Sequence, residues 1–373
     1  MTAINLKQCV MATSCVMAMT ACQGGNAQLH DEQVTIDPSW TERIMPCKGG
    51  GITGGDGSIS IDLKNGRSLF LWGDSFIGDV VDDSRAKDSK LIVGNTFTTI
   101  DDNGHIRTYF SGTRNNPSAF LQPQKRKGCV NWYWPGNGCV SNGILHLFMS
   151  EFERTGTGTF AFKYVGCDYF RMDPNTLNVI SKEHFNDPDI NGVHYGHAVL
   201  QDGNYVYVYG TKTDSLGVKA SVHVARGILK DNRLQSWSYW DGTKWQDDPL
   251  RSSPLRGIRT SVSEQFNIIK LNGTVVLVTQ DRMEDVKNIY SYTSESPSGP
   301  FSNCKLLYTV KEKNWDTDKM MTYNTMAHPQ YQKDGKILMC YNVNTHDDKK
   351  LFIKASLYRP RFFWVPINLI LDK

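Results

Sequence analysis

The chain has 373 residues, 39% of them hydrophobic, and a formal charge of only +3. That composition can fill a sizeable core. The near-neutral balance argues against nucleic acid as the main partner: phosphate binding needs a concentrated basic face, and the single basic block, Gln124-Lys125-Arg126-Lys127, reads as a solvated loop.

Residues 1–21 carry no acid and one base, Lys7, and the small, mostly apolar stretch Val10–Ala21 runs into Met19-Thr20-Ala21-Cys22. A basic start, a brief apolar core and a small residue before the break describe an export signal, too short to span a membrane as a mature helix. The stretch resembles a bacterial lipoprotein signal, which implies lipidation of Cys22 and attachment to the cell envelope, with the outer membrane as the anchor. On this reading residues 1–21 are removed, 22–33 form a polar tether and 34–373 fold as one domain, a monomer. Cys47, Cys129, Cys139, Cys167, Cys304 and Cys340 have no metal-knuckle spacing. An exported protein may carry disulfides, and Cys129/Cys139 is the first pair to test, with buried free thiols as the alternative.

The first folded unit sets the pattern. Ser58-Ile59-Ser60-Ile61 alternates, Asn65-Gly66 turns, and Leu69-Phe70-Leu71-Trp72 returns to Gly73-Asp74. Asn-Gly between two such runs is a strong hairpin signal. Antiparallel pairing then places Asp56 and Asp74 at the same end of one hairpin. The device recurs with turns at Asn142-Gly143, Asp202-Gly203, Asn272-Gly273 and Asp334-Gly335, so the turn glycines lie 77, 60, 70 and 62 residues apart. A two-stranded hairpin cannot stand alone, and each interval offers further strands: 97–100 with 106–110, 160–165 with 169–172, 220–225 with 236–239, 289–292 with 306–308, and 351–356 with 363–365. Four antiparallel strands per unit, repeated five times, predict an all-β, five-bladed β-propeller closed between its first and last elements. No interval holds a convincing amphipathic helix, which disfavours a parallel α/β fold.

Candidate site residues follow in chain order. The glycine run at 49–55 leads into Asp56, which reads as the floor of a central cavity or as a turn-bonding aspartate; a phosphate loop is disfavoured because the lysine–threonine ending is missing. Asp74 follows four apolar strand residues and needs a partner or solvent. Among Trp132, Tyr133 and Trp134, a strand cannot bury all three on one face. Trp134 is the candidate sugar platform, with inter-blade packing as the alternative. Glu151 takes the hairpin position equivalent to Asp74. His194 and His197 would suit zinc, but a site needs three or four ligands and the spacing places no third. No metal is therefore assigned, and hydrogen bonding to substrate or structure is expected of them. Glu264 alternates with Val262 and Phe266, which predicts a raised pKa suited to a general acid, or else an acid paired with Arg259; Arg259 could also clamp an acidic sugar. Tyr323, Asn324, His328 and Asn342 gather at the same rim and are expected to orient a ligand. No cofactor is required, and calcium could serve as structural support, although no calcium-loop pattern is present.

Gly-Gly-Asp-Gly-Ser at 54–58, Trp-Gly-Asp-Ser-Phe at 72–76, and Tyr-Asn-Thr-Met-Ala-His-Pro with the later Tyr-Asn-Val-Asn at 323–344 resemble five-bladed propeller lipoproteins of Bacteroidota of unassigned function. These are similar to bacterial endo-D-arabinanases and, remotely, to arabinan- and xylan-acting propeller glycosidases. The resemblance implies hydrolysis of an oligo- or polysaccharide by acids from separate blades, with Asp56 or Asp74 as base or nucleophile. Glu264 takes the acid position, and Glu151 is its reserve. A surface lipoprotein that binds glycans without turnover is the alternative.

Overall fold

The computed structural model describes residues 33–158, 161–282 and 287–371. The expected leader and Cys22 lie outside them. The chain is all-β, and among the described residues five antiparallel sheets of four or five strands follow one another along it, beside three smaller ones. The first is built from Ile59–Asp62, Arg67–Trp72, Thr96–Asp101 and Ile106–Tyr109, the second from Asn131–Ser141, Ile144–Arg154, Phe162–Met172 and Val179–Asn186. The third runs His194–Asp202, Tyr205–Thr213, Ala220–Lys230, Arg233–Trp240 and the short Trp245–Gln246. The fourth runs Asn267–Leu271, Thr274–Gln280, Asn288–Ser294 and Ser302–Thr309. In the fifth, Met320–Lys333, Lys336–Thr345 and Arg361–Pro366 are joined by Thr35–Ile36 from the start of the folded part.

Turn chemistry explains the hairpins. Asn142 and Gly143, Asn272 and Gly273, and Asp334 and Gly335 all have positive φ, the paired left-handed conformation that two-residue hairpins need. Two expected outer strands differ. The two strands expected within 160–172 are one among the described residues, Phe162–Met172, and Val179–Asn186 is its outer neighbour. The stretch 351–356 is not a strand either. Lys350–Ile353 is helical and Ala355–Tyr358 is a 3-10 turn, so the fifth sheet takes its outer strand from Thr35–Ile36 instead. Trp364 Nε1 donates to Asp37 Oδ2 at 2.9 Å, and Thr41 Oγ1 to the Pro360 carbonyl at 2.9 Å, which fastens that join. Cys129 and Cys139 are free thiols, so the disulfide expected between them is not formed.

The first strand of each sheet touches the first strand of the next, and that of the fifth touches that of the first. The core is divided accordingly. One apolar layer lies between the second and third sheets (Phe148, Tyr195, Val208), one between the third and fourth (Tyr209, Phe266, Leu277), and one between the fourth and fifth (Val276, Met339, Phe363). A larger layer packs the first sheet against the second and fifth through Leu69, Phe70, Leu147 and Phe362. Each fully buried side chain of this kind contributes about 1.5–3 kcal/mol. The inner strands are thus clamped from both sides, and their ends form a rigid floor.

That floor is irregular in a repeated way. Pairing slips between Pro135 and Gly138 in the second sheet, between Tyr195 and Ala198 in the third, and between Tyr323 and Met326 in the fifth. Bulges of this kind re-aim side chains. Glycine permits the close approach they need: a Cβ on Gly136 would stand 2.4 Å from the Gly196 carbonyl oxygen, and Gly196 itself has φ +101°.

Candidate active site

The ends of the inner strands surround a cavity of about 790 Å³. Eight residues singled out from sequence line it: Asp56, Asp74, Trp134, His194, His197, Glu264, Tyr323 and Asn324. They come from all five sheets or the segments leading into them, so residues more than 260 positions apart share one wall.

Asp56 and Asp74 stand side by side because the Gly73 amide bonds the Asp56 carbonyl at 2.9 Å, closing the hairpin between them. Asp56 Oδ2 accepts from the Tyr323 hydroxyl at 2.6 Å, and Asn344 Nδ2 in turn donates to that hydroxyl at 3.2 Å. Tyr358 also bonds Asp56. Asp74 Oδ1 accepts from Trp134 Nε1 at 2.8 Å and from the Gly94 amide at 2.9 Å. Burial, then the neighbouring Asp74 charge, pushes Asp56 up to about 7. Burial raises Asp74 as well, but its bonds from Trp134 and Gly94 favour the ionised form. Two close carboxyls resist double ionisation, and both are raised here, Asp56 as far as about 7, so Asp56 is the one that favours the proton.

Trp134 is fixed as part of the wall rather than buried between sheets. It packs against Phe152 and Phe162 at 4.6 and 4.9 Å between ring centroids, with Tyr164 continuing the aromatic surface. A polar group adjoins this surface, with the His194 ring stacked on Tyr164. His194 Nδ1 lies 3.1 Å from Glu264 Oε1, His197 Nε2 lies 3.4 Å from the same oxygen, and Arg282 Nη1 lies 3.4 Å from Oε2. Burial alone would raise the Glu264 pKa, but the histidines outweigh it and hold the carboxyl well below the usual range. The expected protonated Glu264 is therefore corrected: alternation showed its apolar neighbours, not the imidazoles waiting across the sheet boundary. His194, His197 and Glu264 also form a three-donor group able to hold a metal ion, with ligand atoms within 4.8 Å of one another. Glu264 is the third donor that the histidine spacing could not supply.

Four expected site residues do not line the cavity. Glu151 sits one residue out of phase with the cavity-lining Ser150 and Phe152; it pairs with Arg126 at 2.9 Å and accepts from Asn131 at 2.8 Å. Arg259 is exposed elsewhere and meets Tyr292 through its backbone. His328 is fully buried, between Ser60 Oγ at 2.7 Å and Cys340 Sγ at 3.3 Å, and burial drives its pKa down to about 3. Asn342 is a buried brace, accepting from Ser58 Oγ at 2.7 Å and donating to the Asn324 carbonyl at 3.0 Å. It supports the floor from below. Asn324, with φ +51°, exchanges bonds with Gln265, whose Nε2 reaches the Pro135 carbonyl at 2.7 Å, tying three sheets together.

Tyr358 and Gln265 were not foreseen. Tyr358 ends the 3-10 turn Ala355–Tyr358 and lies between the strands expected at 351–356 and 363–365, so no alternation pointed to it. Arg282, which meets Glu264, lines the cavity, whereas Arg259 does not.

An all-β chain of consecutive antiparallel sheets, with a paired-carboxyl pocket at the ends of its inner strands, is the class that fold and site define. The chain belongs to the family described as a domain of unknown function (DUF5005), whose model matches residues 47–366. No curated protein matches it. Its fold is shared with a candidate hydrolase from Bacteroides ovatus ATCC 8483, 18% identical, covering 89% of this chain and 90% of that one, with a TM-score of 0.72. Looser matches include a β-1,2-mannobiose phosphorylase from Listeria innocua in complex with β-1,2-mannobiose (11% identical, 91% and 98% covered, TM-score 0.49). Another is the α-L-arabinofuranosidase of Podospora anserina in complex with cellotriose (12% identical, 85% and 92% covered, TM-score 0.44). At those scores the two say nothing of chemistry here.

Proposed function

We propose that the five sheets are the blades of a five-bladed propeller and that the pocket hydrolyses a glycosidic bond in an oligo- or polysaccharide, arabinose-containing glycans being the first class to test. What carries this reading is the Asp56–Asp74 pair, one carboxyl pushed up to about 7 by burial and its neighbour's charge beside one whose bonds from Trp134 and Gly94 favour the ionised form. Glycoside hydrolysis needs that asymmetry. Asp56 gives its proton to the glycosidic oxygen as the bond between that oxygen and the anomeric carbon breaks. Asp74 supplies the negative charge at the anomeric carbon, by taking a proton from the incoming water or by attacking the carbon itself. A carboxyl separation of about 5 Å goes with retention and roughly 6.5–9.5 Å with inversion, so the anomer released first tells the two apart. The aromatic wall of Trp134, Phe152 and Phe162 offers flat apolar faces to sugar C–H groups, and Asn324 and Asn344 offer amides to hydroxyls. The acid role moves from Glu264 to Asp56, because Glu264 is the carboxyl that the histidines keep ionised.

Incubation with arabinans, xylans and host-type glycans, reading new reducing ends by chromatography, tests the proposal. Release by the unmodified protein and loss in Asp74→Asn are expected. Binding without release from any glycan would make the protein a glycan-binding module instead.

A further inference from the structure

We propose that His194, His197 and Glu264 bind a divalent transition-series ion, zinc foremost, in the wall of the cavity that Asp56 and Asp74 also line. The site stands whether or not the pocket turns over a sugar.

Three observations carry it. The first is the local fold. His194 and His197 are three apart, and plain alternation would point them to opposite faces of their strand. The slip in pairing between Tyr195 and Ala198 puts Gly196 and His197 in a bulge, and His197 is turned to the same side as His194. Gly196 accepts φ +101° there, which a residue with a Cβ rarely does. The strand is bent so that both imidazoles meet one carboxylate from the bend that precedes the fourth sheet.

The second is distance. Zinc holds nitrogen and oxygen donors at about 2.0–2.2 Å, so neighbouring donors around one ion stand about 2.9–3.5 Å apart, from octahedral to tetrahedral angles. The two imidazole nitrogens stand 3.1 and 3.4 Å from Glu264 Oε1. Arg282 takes the other carboxylate oxygen, leaving Oε1 to the imidazoles. The His194 ring is stacked on Tyr164, 3.9 Å between centroids and 25° between planes, so its direction is set.

The third is an unmet need. His197 is 2% exposed, and neither of its ring nitrogens makes a hydrogen bond among the described residues. Its Nε2 points toward Glu264 without the alignment of a hydrogen bond. Leaving a buried polar nitrogen without a well-aligned partner is costly, and a shared ion would give Nε2 one. Two imidazoles and one carboxylate suit zinc and its neighbours, whereas calcium takes oxygen donors. Three protein donors leave positions on the ion for water or a sugar hydroxyl, and the cavity supplies the room.

The test uses the full chain, stripped with a chelator and titrated with zinc chloride by calorimetry, then with cobalt chloride by visible absorption. One ion per chain is expected, with the intense d–d bands of four- or five-coordinate cobalt. Glu264→Gln and His197→Asn each weaken binding by roughly a hundredfold or more, beyond the 10–100-fold of a supporting residue, and Arg282→Ala falls within that smaller range. Asp56→Asn binds the ion as the unmodified protein does, so a failure of hydrolysis and a failure of this site are told apart. Glu264 is partly exposed to the cavity, so Glu264→Gln keeps the fold if His197→Asn does not. No ion bound, calcium preferred over zinc, or zinc affinity unchanged in Glu264→Gln would overturn the assignment.

Discussion

Replacing Tyr323 with phenylalanine removes the 2.6 Å bond that its hydroxyl donates to Asp56 Oδ2. That bond favours the ionised carboxylate, so its loss raises the Asp56 pKa. A hydrogen bond to a charged group contributes about 1.5–3 kcal/mol, and about 1.4 kcal/mol is one pKa unit. Tyr358 keeps its own bond to Asp56, which favours the lower end, a rise of about one unit. If Asp56 is the acid, kcat/KM of the unmodified enzyme falls on the alkaline side near pH 7, where Asp56 loses its proton. Tyr323→Phe moves that limb up, to about pH 8. The assay is reducing-end release across pH 5–9 on whichever glycan is cleaved. A limb that stays in place, or moves down, refutes the assignment of the proton to Asp56.

Four further outcomes are expected. Asp56→Asn raises the melting temperature at pH 8 and leaves it little changed at pH 4: a carboxyl with a raised folded pKa contributes its full stability below the unfolded value and loses it as pH rises through about 7. Gly73→Ala places a Cβ 2.3 Å from Asp56 Oδ1 and displaces the acid, so turnover falls about a hundredfold while the circular dichroism spectrum is kept. His328→Ala loses two buried partners and leaves a hole among Phe70 and Phe362, costing about 2–4 kcal/mol in denaturant melts, whereas Glu151→Gln stays within about 0.5 kcal/mol and keeps its activity. In a bacterial host, radiolabelled palmitate is incorporated into the full-length chain and lost in Cys22→Ala; equal labelling of both would remove the lipid anchor.

Much of the fold was legible because it is written locally. Five short turns carry glycine in the left-handed region, three of them after a left-handed asparagine or aspartate, and the flanking runs alternate. Asp56 and Asp74 were readable as neighbours from one hairpin's pairing. Beyond a hairpin, legibility depended on alternation holding, and at the cavity floor it does not. The slips after Tyr195 and Tyr323 re-aim His197 and shape the turn at Asn324, and no composition rule announces them. Glu151 was misplaced because the strand of the second sheet runs on to Arg154, so strict alternation turns Glu151 away while Phe152 enters the cavity. His328 looked like a rim residue, but the strand from Met320 to Lys333 carries it into the layer between sheets. The partners that decide charge, His194 and His197 for Glu264, come from 70 and 67 positions away, across a boundary between sheets that a one-dimensional reading cannot cross.

The division of labour between the two aspartates is tested most directly by leaving group. With an aryl glycoside whose phenolate departs unaided, acid assistance matters little; with a natural sugar leaving group it is essential. Asp56→Asn is predicted to hydrolyse the activated aryl glycoside at a near-normal rate and the natural glycan at least a hundredfold more slowly, while Asp74→Asn loses both. Equal loss on both substrates in Asp56→Asn, or full activity in Asp74→Asn, would contradict the account.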